Sequence, residues 1–224
     1  MAMAAPMLMA DPLDPSWIVH QQSDLLVLNK PAGLLSQPGL GPALADSLIS
    51  RLQAHWPEAQ LVHRLDRDTS GLLLVALTPE LHRALSGMFA ARQVHKRYVA
   101  DVCGVPDAPE GVIELPIAKR QHRPPLYGVD TAGKPCCTAW RVVEIAPGVS
   151  RLALEPRTGR SHQLRVHLQA LGHPILGDPL YGPLDAPLPS TRLHLHAAGL
   201  SLVHPASGQR LVVEAPIPFQ LPAP

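Results

Sequence analysis

Cysteine is scarce in this chain: Cys103, Cys136 and Cys137 are the only three among 224 residues. Two are adjacent, the total is odd and no Cys-x-x-Cys occurs. That pattern excludes a disulfide framework or a zinc knuckle and points to reduced thiols in a cytoplasmic protein. Net charge is also nearly absent, +1 at pH 7 with histidine neutral, so the chain does not coat nucleic acid through bulk charge. No run of about eighteen apolar residues is present to span a membrane. Residues 1–15 lack a basic stretch followed by a long apolar core, so they make a poor signal peptide, and a soluble protein is expected. Gly and Pro together stay near 19%, below the roughly 25–30% of low-complexity chains, and apolar residues stand at an ordinary 46%.

What is present reads as one core. This length suits a single domain, and neither an internal repeat nor a linker divides it. Residues 1–15, rich in Met, Ala and Pro and without periodicity, are expected to be poorly ordered, leaving 16–220 as the domain. Residues 25–29 and 72–77 read as buried strands, and 97–103, 138–145, 151–154, 193–203 and 210–214 as further strands between Pro, Gly and Ser turns. Helical spacing of Leu44, Leu48, Ile49 and Leu52 predicts a helix over 43–55. A second helix begins at the Thr78 N-cap with Pro79 in its first turn, and Leu81, Ala84, Leu85, Met88 and Phe89 form one face. A short helix over 161–171 stops at Gly172. Strands far outnumber helices, which predicts an α+β domain with a mixed, largely antiparallel sheet and flanking helices.

The densest cluster of chemistry is His63-Arg64-Leu65-Asp66-Arg67-Asp68-Thr69-Ser70-Gly71, a polar loop leading into the apolar run that follows. An arginine beside a partly buried carboxylate keeps it ionised at neutral pH, so Asp66 is a candidate nucleophile or base. Arg151, Arg157, Arg160 and Arg165 face Glu155 alone over 151–169, and Lys119, Arg120 and Arg123 form a second cluster. Basic patches on a near-neutral body suit a phosphate-contacting groove, although a solvated charged face is the plainer reading of any one of them.

This loop resembles the His-Arg-Leu-Asp-x-x-Thr-Ser-Gly signature of the RluA-type pseudouridine synthases. The resemblance extends to Leu28-Asn29-Lys30-Pro31-Ala32-Gly33-Leu34, Lys96-Arg97-Tyr98-Val99-Ala100, Gly159-Arg160-Ser161-His162-Gln163-Leu164-Arg165-Val166-His167 and Gly172-His173-Pro174-Ile175-Leu176-Gly177-Asp178. It implies a pseudouridine synthase catalytic domain acting on RNA as an isomerase, with no metal or organic cofactor. The small RNA-binding module that many relatives carry ahead of this domain has no room before the first matching block. The match around residues 28–36 implies a two-substrate member of the family, acting on 23S ribosomal RNA at position 746 and on tRNA anticodon stem-loops at position 32. A monomer free of the membrane is expected.

The resemblance also assigns roles. Asp66 becomes the catalytic carboxylate, attacking either carbon 6 of the base or the anomeric carbon of the sugar. Arg165 is its expected ion-pair partner. Tyr98 supplies a stacking face and takes part in removing the carbon-5 proton. Arg64 holds open the space left by the flipped uridine, and Lys96 and Arg97 are further RNA contacts. Arg160 and His162 either contact phosphate or hold Arg165 in place. Plainer readings stand beside these: a structural ion pair for Arg64, a core tyrosine for Tyr98, a solvated carboxylate for Asp68. Two stretches depart from the family pattern. Pro124-Pro125-Leu126-Tyr127 stands where a lysine-rich hairpin is usual, and Arg67-Asp68 where the pattern is more often apolar or small.

Other classes read less well. Twelve histidines invite a metal centre from His194 and His196 with His162 or His167, but no His-Glu-x-x-His spacing occurs. A noncatalytic RNA-binding relative is disfavoured by the intact Asp66, Tyr98 and Arg165. The same chemistry on a different uridine remains the nearest alternative.

Overall fold

The computed structural model describes residues 13–122, 125–183 and 190–222. Most of residues 1–15, expected to be poorly ordered, lies outside them, as does Arg123 of the second basic cluster. The strands are β1 (Ile18–Gln21), β2 (Leu25–Lys30), β3 (Gln60–Leu61), β4 (Ser70–Ala76), β5 (His95–Cys103), β6 (Glu110–Ile113), β7 (Ile117–His122), β8 (Pro125–Val129), β9 (Thr138–Ala146), β10 (Val149–Pro156), β11 (Leu195–Val203) and β12 (Arg210–Glu214). The helices are α1 (Leu48–Gln53), α2 (Pro79–Ala90) and α3 (Gln163–Ala170).

The main sheet runs β1-β2-β4-β11-β5-β10-β9-β6, with β12 beside β11 and β3 beside β4. Among the described residues only β4 and β11 pair in parallel, so the sheet is mixed and largely antiparallel, as the α+β reading predicts. Strands β7 and β8 form a separate hairpin.

β2 and β4 read as unbroken apolar runs because both of their faces are covered. Leu26, Leu28, Leu73 and Val75 point toward Leu48, Ile49 and Leu52 of α1. The alternate residues Leu25, Val27, Leu72 and Leu74 point toward Leu81 and Leu85 of α2. α2 starts as its sequence predicts: Thr78 Oγ1 accepts from the Leu81 N–H at 3.2 Å, and Pro79 occupies the first turn. α1 is much shorter than the predicted 43–55. Ser47 is extended (φ −160°, ψ 162°), and its buried hydroxyl caps the helix at Ser50 N–H, so residues before it cannot join the helix. Leu44, taken as part of the apolar face, is 42% exposed in a separate 3₁₀ turn.

Two histidines fasten β4. His63 Nε2 accepts the Leu74 N–H at 3.0 Å, and its ring stacks on Phe89. Ser70 Oγ accepts from Arg192 Nη2 at 2.6 Å and lies 2.8 Å from His196 Nδ1. His63 is an acceptor, so its ring must be neutral, and a neutral His196 can take the Ser70 proton at Nδ1. Burial pushes His63 down to about 3, and burial with the Arg192 charge pushes His196 down to about 4. The unfolded chain protonates these rings near 6.5. Between about 6.5 and 4 it takes up protons the folded chain refuses, so stability falls as pH falls through that window. Urea unfolding is expected to show a lower midpoint at about pH 5 than at about pH 7, at up to about 1.4 kcal/mol per pH unit for each histidine. A midpoint that stays level across that range would show that the two rings are not held neutral.

Candidate active site

The loop of residues 62–69 leaves β3 and enters β4 at one wall of an open cleft of about 1030 Å³. Its shape is fixed from below. Ser36 Oγ donates to the Leu65 carbonyl at 2.7 Å and accepts the Leu65 N–H at 3.1 Å. The fully buried Lys30 donates from Nζ to the carbonyls of Pro31, Leu34 and Arg67 at 2.8, 2.8 and 2.9 Å. Burial pushes the Lys30 amine down to about 7, against the pull of Asp68 and Asp66. Gly71 ends the motif at φ +113°, where a Cβ would overlap the Ala197 backbone of the parallel neighbour β11, so no other residue fits.

Asp66, with its side chain 31% exposed, lies in the cleft. Its Oδ2 is 3.6 Å from Arg165 Nη1 and 3.9 Å from His162 Nε2. The ion pair with Arg165 is looser than expected, for a geometric reason. Arg165 is engaged through Nε and Nη2 with Asp178 Oδ2 and Oδ1 at 2.7 and 2.6 Å, a parallel two-bond arrangement that fixes its plane. Asp178, fully buried, also accepts the N–H groups of Leu180 and Tyr181. The preceding Gly177 sits at φ +67° with its Cα against the Arg192 carbonyl, where any side chain would clash.

His162 stands at the N-cap of α3 in a left-handed conformation, φ 56°, which few residues other than glycine adopt. Burial and the charges of Arg165 and Arg64 hold its ring below the ordinary histidine range, opposed by Asp66 and Asp178. Tyr98 lines the same cleft from β5. Burial first, and then the Asp66 charge, hold its hydroxyl well above the ordinary phenol range, so it is a neutral phenol. Burial also pushes the Lys96 amine down, and its Nζ lies 6.0 Å from the centre of the Phe89 ring.

The structure brings Asp66, Tyr98, Arg165, Arg64, Lys96, Arg97, Arg160 and His162 to this one cleft. Of the described residues lining it, seven are Lys or Arg and three are Asp or Glu, so a near-neutral chain presents one basic groove. Arg64 and Arg160 are exposed, with no ion pair to another described residue. Arg97 is paired with Glu214 at 2.7 Å on the exposed rim. Arg151 does not belong to the groove: it pairs with the fully buried Asp101 at 2.7 Å beside Phe219, and Arg120 is paired with Asp130 at 2.9 Å. The histidines considered for a metal are dispersed. His194 contacts Asp101, His196 contacts Ser70, and His167 lies between Thr138 Oγ1 and the Leu115 carbonyl. Among the described residues no group of three or more metal-ligating side chains converges.

Residues 24–170 match the RNA pseudouridylate synthase family. The chain belongs to that family. It is an RNA pseudouridine synthase, an isomerase. The dual-specificity RNA pseudouridine synthases RluA of Salmonella typhi and Escherichia coli K12 are each 45% identical to it over 213 residues, covering 93% of this chain and 97% of theirs. RluA of Vibrio vulnificus is 48% identical over 204 residues, covering 88% of this chain and 81% of its own. Among solved structures, human RNA pseudouridylate synthase domain containing 1 superposes with a TM-score of 0.77 at 32% identity, covering 91% of this chain and 84% of its own. Among the described residues, no helix of this pseudouridine synthase is long and apolar enough to cross a membrane.

Sequence reasoning gave no role to Asp178, Tyr181 or Lys30, although Lys30 and Asp178 fall inside quoted motifs. For Asp178 a signal existed: a carboxylate thirteen residues past Arg165, after a helix and a Gly turn. The partners of a lone Tyr or Lys are not written in local sequence.

Proposed function

We propose that this pseudouridine synthase modifies two RNAs, 23S ribosomal RNA at position 746 and tRNA anticodon stem-loops at position 32, acting as a cytoplasmic monomer with Asp66 as the nucleophile. The observation that carries the mechanism is a partly exposed carboxylate in a basic cleft, with Arg165 at 3.6 Å and the His162 ring at 3.9 Å. The substrate reading is supported by the dual specificity for which the relatives that align with nearly the whole chain are named.

A uridine must leave its stack before a protein carboxylate can reach it. The exposed Arg64, two residues before Asp66, is free to enter the space the base vacates, while the groove's cations hold the flanking phosphates. Asp66 then attacks carbon 6 of the base or the anomeric carbon of the ribose, and the glycosidic bond between the anomeric carbon and base nitrogen 1 breaks. The base turns, a bond forms from the anomeric carbon to carbon 5, the bond to Asp66 breaks and returns the free carboxylate, the carbon-5 proton leaves and nitrogen 1 gains one. Atoms and electrons balance within the substrate, so the reaction requires neither an oxidant nor a group donor. Tyr98 offers the turning uracil its ring face, and its neutral hydroxyl takes part in removing the carbon-5 proton by passing its own proton on as it accepts that one.

Site-resolved pseudouridine mapping of unmodified 23S rRNA and an anticodon stem-loop transcript, incubated with the protein without added metal, tests this reading. Modification of both is expected. Modification of one alone would replace the two-substrate assignment, and modification of neither would remove both RNAs as substrates.

A further inference from the structure

The Tyr181 hydroxyl joins three parts of the molecule. It accepts the Tyr127 backbone N–H of the β7–β8 hairpin at 3.0 Å and lies 2.7 Å from His162 Nδ1. Its ring carries the Arg165 guanidinium at 5.0 Å from the centroid, and its own N–H is held by Asp178 Oδ1 at 3.1 Å. The side chain is only 5% exposed, so it is fixed by packing as well as by these bonds.

Proton accounting then decides the state of His162. A phenol has one proton to give. The Tyr127 N–H already occupies an acceptor site on that oxygen, and among the described residues His162 Nδ1 is the acceptor within reach. Tyr181 therefore donates to Nδ1. The single proton of the neutral ring sits on Nε2, the nitrogen 3.9 Å from Asp66 Oδ2. Burial first, with the charges of Arg165 and Arg64, keeps the ring on the neutral side against the pull of Asp66 and Asp178. The left-handed backbone at His162 turns the ring into this arrangement and is itself uncommon for a side-chain-bearing residue.

We propose that Tyr181 is a positioning residue for pseudouridine formation: its hydroxyl locks His162 as the Nε2–H tautomer, so that a neutral N–H dipole 3.9 Å from Asp66 and the Arg165 cation at 3.6 Å together orient the carboxylate. The inference rests on the reading of Asp66 as nucleophile. The other tautomer would turn a lone pair toward the carboxylate and push it out of line. A neutral donor orients the carboxylate without a second full positive charge, which would weaken it as a nucleophile. Through the Tyr127 N–H the same hydroxyl makes this arrangement depend on the seating of the hairpin.

The test is nitrogen-15 NMR of histidine-labelled protein without RNA, with the His162 signals assigned by their loss in His162→Gln. The wild type is expected to show Nε2 protonated and Nδ1 bare near neutral pH, and Tyr181→Phe a mixture of tautomers. Tyr181→Phe is also expected to lower the single-turnover rate about ten- to a hundredfold while RNA affinity stays within about twofold. A proton on Nδ1 in the wild type overturns the proposal, and this holds even if Tyr181→Phe fails to fold. Mixed tautomers with an unchanged rate overturn it too. An active Asp66→Asn would instead remove the nucleophile and leave the tautomer result standing, so the two failures are distinguishable.

Discussion

Asp66→Asn is expected to lower single-turnover pseudouridine formation by at least about 10⁴-fold, the scale on which loss of a nucleophile is felt. The amide keeps the volume and hydrogen-bonding shape of the carboxylate but has no charge to donate as a bond. The fold should survive because Asp66 is not what neutralises Arg165: that charge is already met by Asp178 through bonds of 2.7 and 2.6 Å, against 3.6 Å to Asp66. RNA binding should survive as well. Removing an anion from a groove whose described lining holds seven Lys or Arg and three acids favours a polyanion, so affinity should rise, if it changes, by no more than about threefold. Site-resolved mapping gives the rate, and filter binding at one fixed salt concentration gives the affinity. A variant that keeps a rate within tenfold of wild type would remove Asp66 from the mechanism. Lost binding would show instead that the carboxylate shapes the groove.

Much of the scaffold could be read from the sequence because local pattern and packing agree. β4 declares itself by its apolar run, read over 72–77 and found from Ser70 to Ala76, and α2 by a capping threonine, a first-turn proline and a regular apolar face. β12 matches its expected limits, residues 210–214, because alternation and flanking turns bound it on both sides. Legibility fails where one buried polar group overrides a pattern. Ser47 caps α1 and detaches Leu44 from the helical spacing that seemed to include it. Strand β8 begins at Pro125, a residue expected at strand edges, so the hairpin gave no strand signal of its own. In the site, the motif residues were found because they are crowded into one loop, the start of one strand and the entry and first turn of one helix. Their partners were not, because each is chosen by the fold: His63 serves a backbone N–H of β4 eleven residues away, and Lys30 reaches the Arg67 carbonyl thirty-seven residues on. Arg151 shows the opposite error. It reads as one more cation of a basic stretch, yet it lies opposite Asp101 across β5 and β10 and is spent on that buried carboxylate.

Asp178→Ala should cost stability and activity together, and the two losses have separate causes. Arg165 and Asp178 are 3% and 0% exposed in their side chains, so truncating the carboxylate strands a buried guanidinium and deprives the Leu180 and Tyr181 N–H groups of their acceptor. Removing one member of such a pair costs about 3–5 kcal/mol, and urea unfolding should read a loss of that size. Asp178→Asn, which keeps acceptors for those backbone groups, should lose less. Activity falls by another route. Freed from its parallel bonds, Arg165 can close the 3.6 Å gap to Asp66, and a tighter pair lowers the carboxylate's nucleophilicity and fixes it away from the uridine. The rate should drop about a hundredfold even well below the unfolding midpoint. Replacing both partners, as in Arg165→Met with Asp178→Leu, separates the causes, because a buried ion pair exchanged for apolar side chains of similar volume is often neutral for stability. That double variant should regain the part of the lost stability that the stranded charge costs, though not the part owed to the two backbone N–H groups, and remain inactive. Recovery of both would mean that the pair only holds the fold. Recovery of stability alone would mean that the buried charge at Arg165 is kept for what it does to Asp66.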